Sequence, residues 1–433
     1  MNFPQLNRNN LLIKTSFLNS ILVAVKLISG LISSKSAALF LGPSGLALLG
    51  NFKNFLQTTS SFTAEGYQNG IIRYSAEYRN NQKQLTEFII TIFQLSLMIS
   101  ILIGFIIFFT SDYWAYLILK DLEFSYVFKT LSICLPFFSF NLLYIYVLNG
   151  LQRFRKLVLI NSILSLSNML VLIFLIYSFK LSGALIATVA SSLLVFLINL
   201  ILLKKDKYVL FHLFNLNYFS FKVLKNMSGY LFMSFYSYVI TSVSLLIVRN
   251  LIITKINLES AGYWEAMNRI SSFYTMFFIS LTSLYLLPKL SEINDWKSFK
   301  LEMKSFYKFV IPLLTIALVF IFILRIYLLR LLLSEEFMQT ATLFKWQLLG
   351  DFIAVISIAL VKQFHAKRLI KYYLVSNGLL NLLYIIFSFL LIDFYGIQGV
   401  VKAYAISYFI YFFIIMFLII RFYKNQHNRE KAF

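Results

Sequence analysis

Apolar runs of roughly 20 residues follow one another from end to end of the chain, separated by short polar connections. Each run is long enough to cross about 30 Å of hydrocarbon as a helix. The pattern predicts twelve transmembrane helices, at 11–34, 45–70, 87–111, 124–149, 153–178, 182–203, 225–250, 262–288, 303–329, 341–365, 368–392 and 396–422. The run at 11–34 follows a polar start and is longer than a signal-peptide core, with no small-residue cleavage site; it reads as the first permanent span.

The connections sort alternately by charge. One set carries Arg8 and Lys14, Arg73, Arg79 and Lys83, then Arg153, Arg155 and Lys156. It continues with the lysines of 204–225, Lys289 to Lys304, Lys362 to Lys371, and Arg421 to Lys431. The other set holds only Lys35, Lys120, Lys180, Arg249, Lys255 and Arg330. Retention of Lys and Arg in the cytoplasm therefore places both termini inside and requires an even number of spans.

The longest connection, 204–224, lies at mid-chain and divides it into a six-helix lobe at 1–203 and another at 225–433. Weak internal echoes support a duplication. Gly45 and Asn51 are matched by Gly262 and Asn268, and Gly183, Ala187 and Ser191 by Gly399, Ala403 and Ser407, at offsets of 217 and 216 residues. Halves of six spans each have parallel topology, and transport sites then lie between them.

Composition agrees with the pattern and removes several functions. Of 433 residues, 60% are hydrophobic and only 13% charged, about half the charge of a soluble chain. The formal net charge of +22 is not a nucleic-acid signature, because the basic residues lie in span-flanking segments instead of one module. A single cysteine, Cys134, and three histidines leave little for metal or redox chemistry, and Cys134 reads as a small buried hydrophobe. No phosphate-cradling Gly-rich loop ending in Lys-Ser or Lys-Thr is present. Nor do paired loop carboxylates or a soluble domain offer an active site. The reading is of a protein that is not an enzyme and needs no cofactor, with any energy supplied by a proton or ion gradient or by mass action.

Charges inside spans are costly and mark cavities, pathways or partners. Here they are mostly basic: Lys26, Lys53, Arg249, Arg269, Arg325, Lys345 and Lys402, against Glu65, Glu265 and Asp351. Helical spacing groups the polar residues of four spans into stripes. Span one carries Thr15, Asn19, Lys26, Ser29 and Ser33. Span two carries Asn54, Gln57, Ser61, Glu65 and Gln68, with Asn51 and Lys53 beside them. Spans seven and eight, their counterparts in the second lobe, carry Ser234 to Ser244 with Arg249, and Glu265, Asn268, Arg269, Ser272 and Ser283. These faces suit a hydrophilic cavity between two lobes, although polar stripes also bind helices to one another. Glu265 and Arg269, four apart, also fit mutual neutralisation, and Arg325, Lys345 and Lys402 are shallow enough to snorkel. A basic cavity favours an anionic ligand, phosphate above all. Lys26, Lys53, Arg249, Arg269, Asn51, Asn54 and Gln57 are the candidate substrate contacts. Asp351, Glu65, Glu265 and Arg325 are candidates for coupling or structural charge, and Asp351 also for pairing with Lys345. A cation antiporter would place acids where this chain has bases, and a membrane polymerase or ligase would carry a large outer loop that is missing here.

Several ordered stretches extend the argument: Gly42-Pro43-Ser44-Gly45-Leu46 with Asn51-Phe52-Lys53, Asn69-Gly70 with Tyr74 and Tyr78, Arg249, and Gly262 with Trp264. Tyr285-Leu286-Leu287-Pro288, Leu331-Leu332-Leu333-Ser334 with Phe337, Trp346-Gln347-Leu348 and Gly350-Asp351 follow. In these the chain resembles the Wzx-type O-antigen translocases, including the enterobacterial common antigen branch, within the multidrug/oligosaccharidyl-lipid/polysaccharide exporter superfamily. Lys26 and Arg325 fall where that family has a basic residue. The resemblance implies an all-α fold of two six-helix bundles in a V, like that of multidrug exporters. It implies a flippase that moves undecaprenyl-diphosphate-linked oligosaccharide to the periplasmic leaflet of the bacterial inner membrane, in company with other polysaccharide-assembly proteins. Glu65, Glu265 and Arg269 depart from the common-antigen pattern, so the sugar stays open between that antigen, an O-antigen and a capsular unit.

Overall fold

The computed structural model describes residues 8–202 and 219–430. The connection expected at 204–224 therefore lies outside the described residues as far as 218, as do the side chains of Thr15 and Asn19. Within the described residues the chain is helical throughout, with no strand.

Among the described residues, twelve helical segments of spanning length emerge. The helix Arg8–Thr63 breaks at Gly42 into α1 (8–41) and α2 (43–63), and Phe154–Leu202 breaks at Lys180 into α5 (154–179) and α6 (181–202). Between them lie α3 (Gln82–Phe109) and α4 (Ser125–Gly150). The rest are α7 (Phe221–Lys255), α8 (Leu258–Leu281), α9 (Trp296–Leu332), α10 (Phe344–Ala366), α11 (Ile370–Tyr395) and α12 (Ile397–Glu430). Nine described helices, counting the two broken ones once each, are long and apolar enough to cross a membrane; α8, which holds Glu265, Asn268 and Arg269, is not among them. The outward faces confirm the solvent. On α9, Phe309, Leu313, Ile316, Phe320, Ile323 and Tyr327 are all exposed at steps of three and four, an apolar stripe facing outward that only lipid accommodates. The protein is a multi-pass membrane protein.

Contacts gather the helices into two compact units, residues to Phe40 with Asn51–Val239 and Leu41–Gly50 with Ile240 onward. The start of α2 thus belongs with the second unit, and the first part of α7 with the first.

In the first unit, α4 is the hub, packed by α3, α5 and α6 and by the short helix Gln68–Glu77. Phe88, Phe93, Phe140, Tyr144 and Leu148 share one core. Side-chain hydrogen bonds substitute for the hydrophobic force that lipid cannot supply. The carbonyl of Thr63, at the end of α2, accepts from Ser96 at 2.6 Å, and Ser139 donates to the Thr63 hydroxyl at 2.6 Å. Asn141 on α4 donates to the Ser192 carbonyl at 2.7 Å and accepts from Asn199 at 2.8 Å.

In the second unit α10 is the hub, packed by α8, α9 and α12. Tyr307 on α9 donates to the Ile356 carbonyl at 2.9 Å, and Gln363 donates to Tyr423 on α12 at 2.7 Å. Residues 41–50 join this unit where side chains are missing. A Cβ on Gly262 would fall on the Pro43 carbonyl, and one on Gly50 would lie 2.6 Å from the Glu265 carboxyl carbon. Outside the membrane, Asp295 caps α9 by accepting from the Ser298 amide at 2.8 Å. Hydrogen bonds from Ser298 hold the Asp295 carboxyl below its ordinary range.

The repeat is visible in the backbone. Lys180 (φ 49°) and Gly396 (φ 55°), 216 residues apart, are the breaks before α6 and α12. Gly183 and Gly399 then lie against the carbonyls of Leu175 and Leu391, at the same offset.

Candidate substrate cavity

The first unit holds a half-open cavity of about 290 Å³. Helix α2 supplies one wall: Lys53, Leu56, Gln57 and Ser60 recur at steps of three and four and so share a face. The helix stops at Thr63, Ala64 leaves helical geometry (φ −147°, ψ −51°), and a 3₁₀ turn begins at Glu65. That break turns the Glu65 carboxyl into the cavity, within hydrogen-bonding reach of Ser60, while its Oε2 is buried with no hydrogen-bond partner. Ser33 of α1, Asn168 of α5 and Thr188 of α6 add neutral polar groups, and Phe138, Leu172 and Ala187 complete an apolar side.

Of the residues expected to contact substrate, Lys53 and Gln57 line this space, joined by Glu65. Lys26 is exposed on α1, seven residues before Ser33 and so on the same helical face. Asn54 is half-buried, with its Nδ2 lacking a partner. Asn51 turns elsewhere: it is buried and donates to the Ile118 carbonyl at 3.0 Å, beside the π-turn Ala115–Leu119. Phe138, Asn168, Leu172 and Thr188 had not been singled out from the sequence. Asn161, Ser165 and Asn168, at steps of four and three, were the available signal for α5.

The remaining charges form two clusters in the second unit. Arg249 on α7 is 2% exposed, ion-paired through Nη2 to Glu265 on α8, and 5.1 Å from the Trp264 ring. Arg269 Nε donates to the other Glu265 oxygen at 2.8 Å, the i,i+4 pair legible from spacing, and its Nη2 is buried without a partner. Gly50 makes room for this arrangement.

Asp351 on α10 is fully buried. It accepts from Ser271 at 2.7 Å, from Tyr404 at 3.0 Å, from Gln347 at 3.2 Å and from Tyr274. Its partners are neutral donors, not Lys345, which is exposed beside the Trp346 ring. Arg325 folds back on its own helix, donating to the Phe322 carbonyl at 2.8 Å, and Lys402 rests 3.2 Å from the centre of the Tyr395 ring. Among the described residues no group of His, Cys, Asp and Glu could hold a metal ion.

Solved structures share this all-helical fold. An inward-facing multidrug resistance MATE transporter of the MOP superfamily aligns with a TM-score of 0.73 at 16% identity, covering 93% of this chain and 95% of that one. The lipid II flippase MurJ, in an inward closed conformation, aligns at 0.71 with 17% identity, covering 94% and 87%. A family model described as polysaccharide biosynthesis protein matches residues 12–294, and the chain belongs to that family. It is also similar to the lipid III flippase of Escherichia coli (strain K12), 25% identical over 409 residues that cover 93% of this chain and 96% of that protein.

Proposed function

We propose that this protein is a flippase for lipid-linked oligosaccharides, carrying an undecaprenyl-diphosphate-linked repeat unit from the cytoplasmic to the periplasmic leaflet. The observation that carries the reading is the near full-length match to a lipid III flippase, over 409 residues, in a chain whose polar groups are kept within an apolar bundle. The glycan and diphosphate would travel among these groups while the polyprenyl tail stays in lipid, with the two states reached by alternating access.

Lys26 and Lys53 are the first candidates for the diphosphate. Arg269 is a separate candidate in the second unit, because its Nη2 is a buried donor without a partner, whereas Arg249 acts through Glu265 to hold it. Asp351, caged by neutral donors, is the candidate for coupling to a proton or ion gradient. The charge alternation supports an inner-membrane location with both termini in the cytoplasm.

Expression in a strain lacking its own lipid-linked oligosaccharide flippase, followed by analysis of lipid-linked intermediates and surface glycan, tests the reading. Restored surface glycan is expected in a host that makes the cognate repeat unit. Continued accumulation of the unflipped intermediate in that host overturns it.

A further inference from the structure

We propose that the cavity inside the first unit is a subsite for one pyranose ring of the transported glycan, with Glu65 as its principal acceptor. The proposal rests on the flippase reading above and adds a recognition site to it.

Size is the first argument. Pockets for drug-sized ligands start at about 300 Å³, so a cavity of about 290 Å³ takes a single substituted ring and not a whole repeat unit. Lining is the second. A pyranose has a C–H face and a rim of hydroxyls, and the walls divide the same way. Phe138, Leu172 and Ala187 offer the apolar side, and Glu65, Gln57 and Asn168 the polar rim. A buried acceptor without a donor is uncommon in folded proteins, and Glu65 Oε2 is one. A sugar hydroxyl or amide N–H supplies that donor.

The third argument comes from the repeat. At the observed offsets the counterparts of Gln57, Asn168 and Thr188 are Tyr274, Tyr384 and Tyr404. Those rings occupy their own unit's interior: Tyr274 and Tyr404 donate to Asp351, and Tyr384 packs edge-on to Tyr404 at 5.9 Å. The first unit has short polar side chains where its duplicate has three aromatic rings. Space and hydrogen-bonding capacity are thus found together in the first unit.

The test uses the purified full-length protein in detergent and free methyl glycosides of glucose, N-acetylglucosamine and glucuronic acid, read by saturation-transfer NMR. Transfer to at least one glycoside is expected, weakened about tenfold in Glu65→Gln, as loss of one hydrogen bond to a charged acceptor implies. Thr188→Tyr, which fills the space without touching Glu65, should abolish it while the thermal melt stays cooperative. No transfer to any of the three from the wild type overturns the subsite. So does equal transfer in wild type and both variants. Complementation separates the two readings. A wild type that flips, together with Glu65→Gln and Thr188→Tyr variants that flip equally well, removes the subsite alone. A wild type that does not flip removes the function.

Discussion

The two units meet their buried carboxyl groups in different ways. The first leaves a cavity lined by Lys53, Gln57, Ser60 and Glu65. The second surrounds Asp351 with Ser271, Gln347 and two tyrosines, and Glu265 with two arginines. Both carry buried carboxyl groups in a membrane protein; both oxygens of Asp351 and of Glu265 accept hydrogen bonds, whereas Glu65 Oε2 has no partner. Saturated polar networks rigidify a core, and unsaturated ones are kept where something else completes them. On this comparison the Asp351 network is the closed one and the cavity around Glu65 is the exchangeable site.

The comparison breaks most completely if the first unit is given the interior of the second. Gln57→Tyr, Asn168→Tyr and Thr188→Tyr combined should abolish flipping in the complementation assay while the protein still inserts and purifies as a monodisperse species. Flipping at the wild-type rate would show that the cavity takes no part. Next comes removal of charge from the second unit. Glu265→Leu strands Arg249 in a site where it is 2% exposed, and breaking such a buried pair costs about 3–5 kcal/mol. A large drop in the denaturation midpoint in detergent is the expected result, with no matching drop for Glu65→Leu. Smaller again is Tyr404→Phe, which deletes one of four donors to Asp351 and should cost about 2 kcal/mol by the same measurement. The smallest effect concerns the two breaks. Lys180 adopts φ 49° where its counterpart is Gly396, so Lys180→Gly should stabilise the protein by about 1 kcal/mol. An unchanged melt would mean that the strain is relieved locally.

Much of this was legible beforehand, for reasons that the particular residues make plain. The expected spans at 153–178 and 182–203 fall within a residue of α5 and α6, because hydrophobic length is dictated by bilayer thickness. The expected 303–329 falls short of α9 at Trp296–Leu332, because a helix can continue past the apolar region on polar residues that a hydropathy window discards. The span expected at 45–70 instead ends at Thr63. The residues that crowd Gly66, Ser61 and Phe235, include one far along the chain, and no local pattern announces them.

At the candidate site, spacing brought Lys53, Gln57 and Glu65 to one region and found the Glu265–Arg269 pair. It could not find Arg249 for that pair, since the contact joins two helices, nor the commitment of Asn51 to a carbonyl beside a π-turn. The break at Lys180 was equally silent, because lysine in a left-handed conformation carries no signature, whereas Gly396 does.

The Arg249–Glu265 pair also bears on how the chain is made. Arg249 emerges from the ribosome sixteen residues before its counter-ion, and an arginine in an inserting helix is costly, most of all at the centre and less near the end where Arg249 lies. Helix α7 alone therefore carries a penalty that α8 removes, and the two favour entering the bilayer together as a hairpin. A ribosome stalled between Arg249 and Glu265 would hold a nascent chain whose seventh helix still lacks its counter-ion, so the order of synthesis leaves this pair to be closed only when α8 arrives.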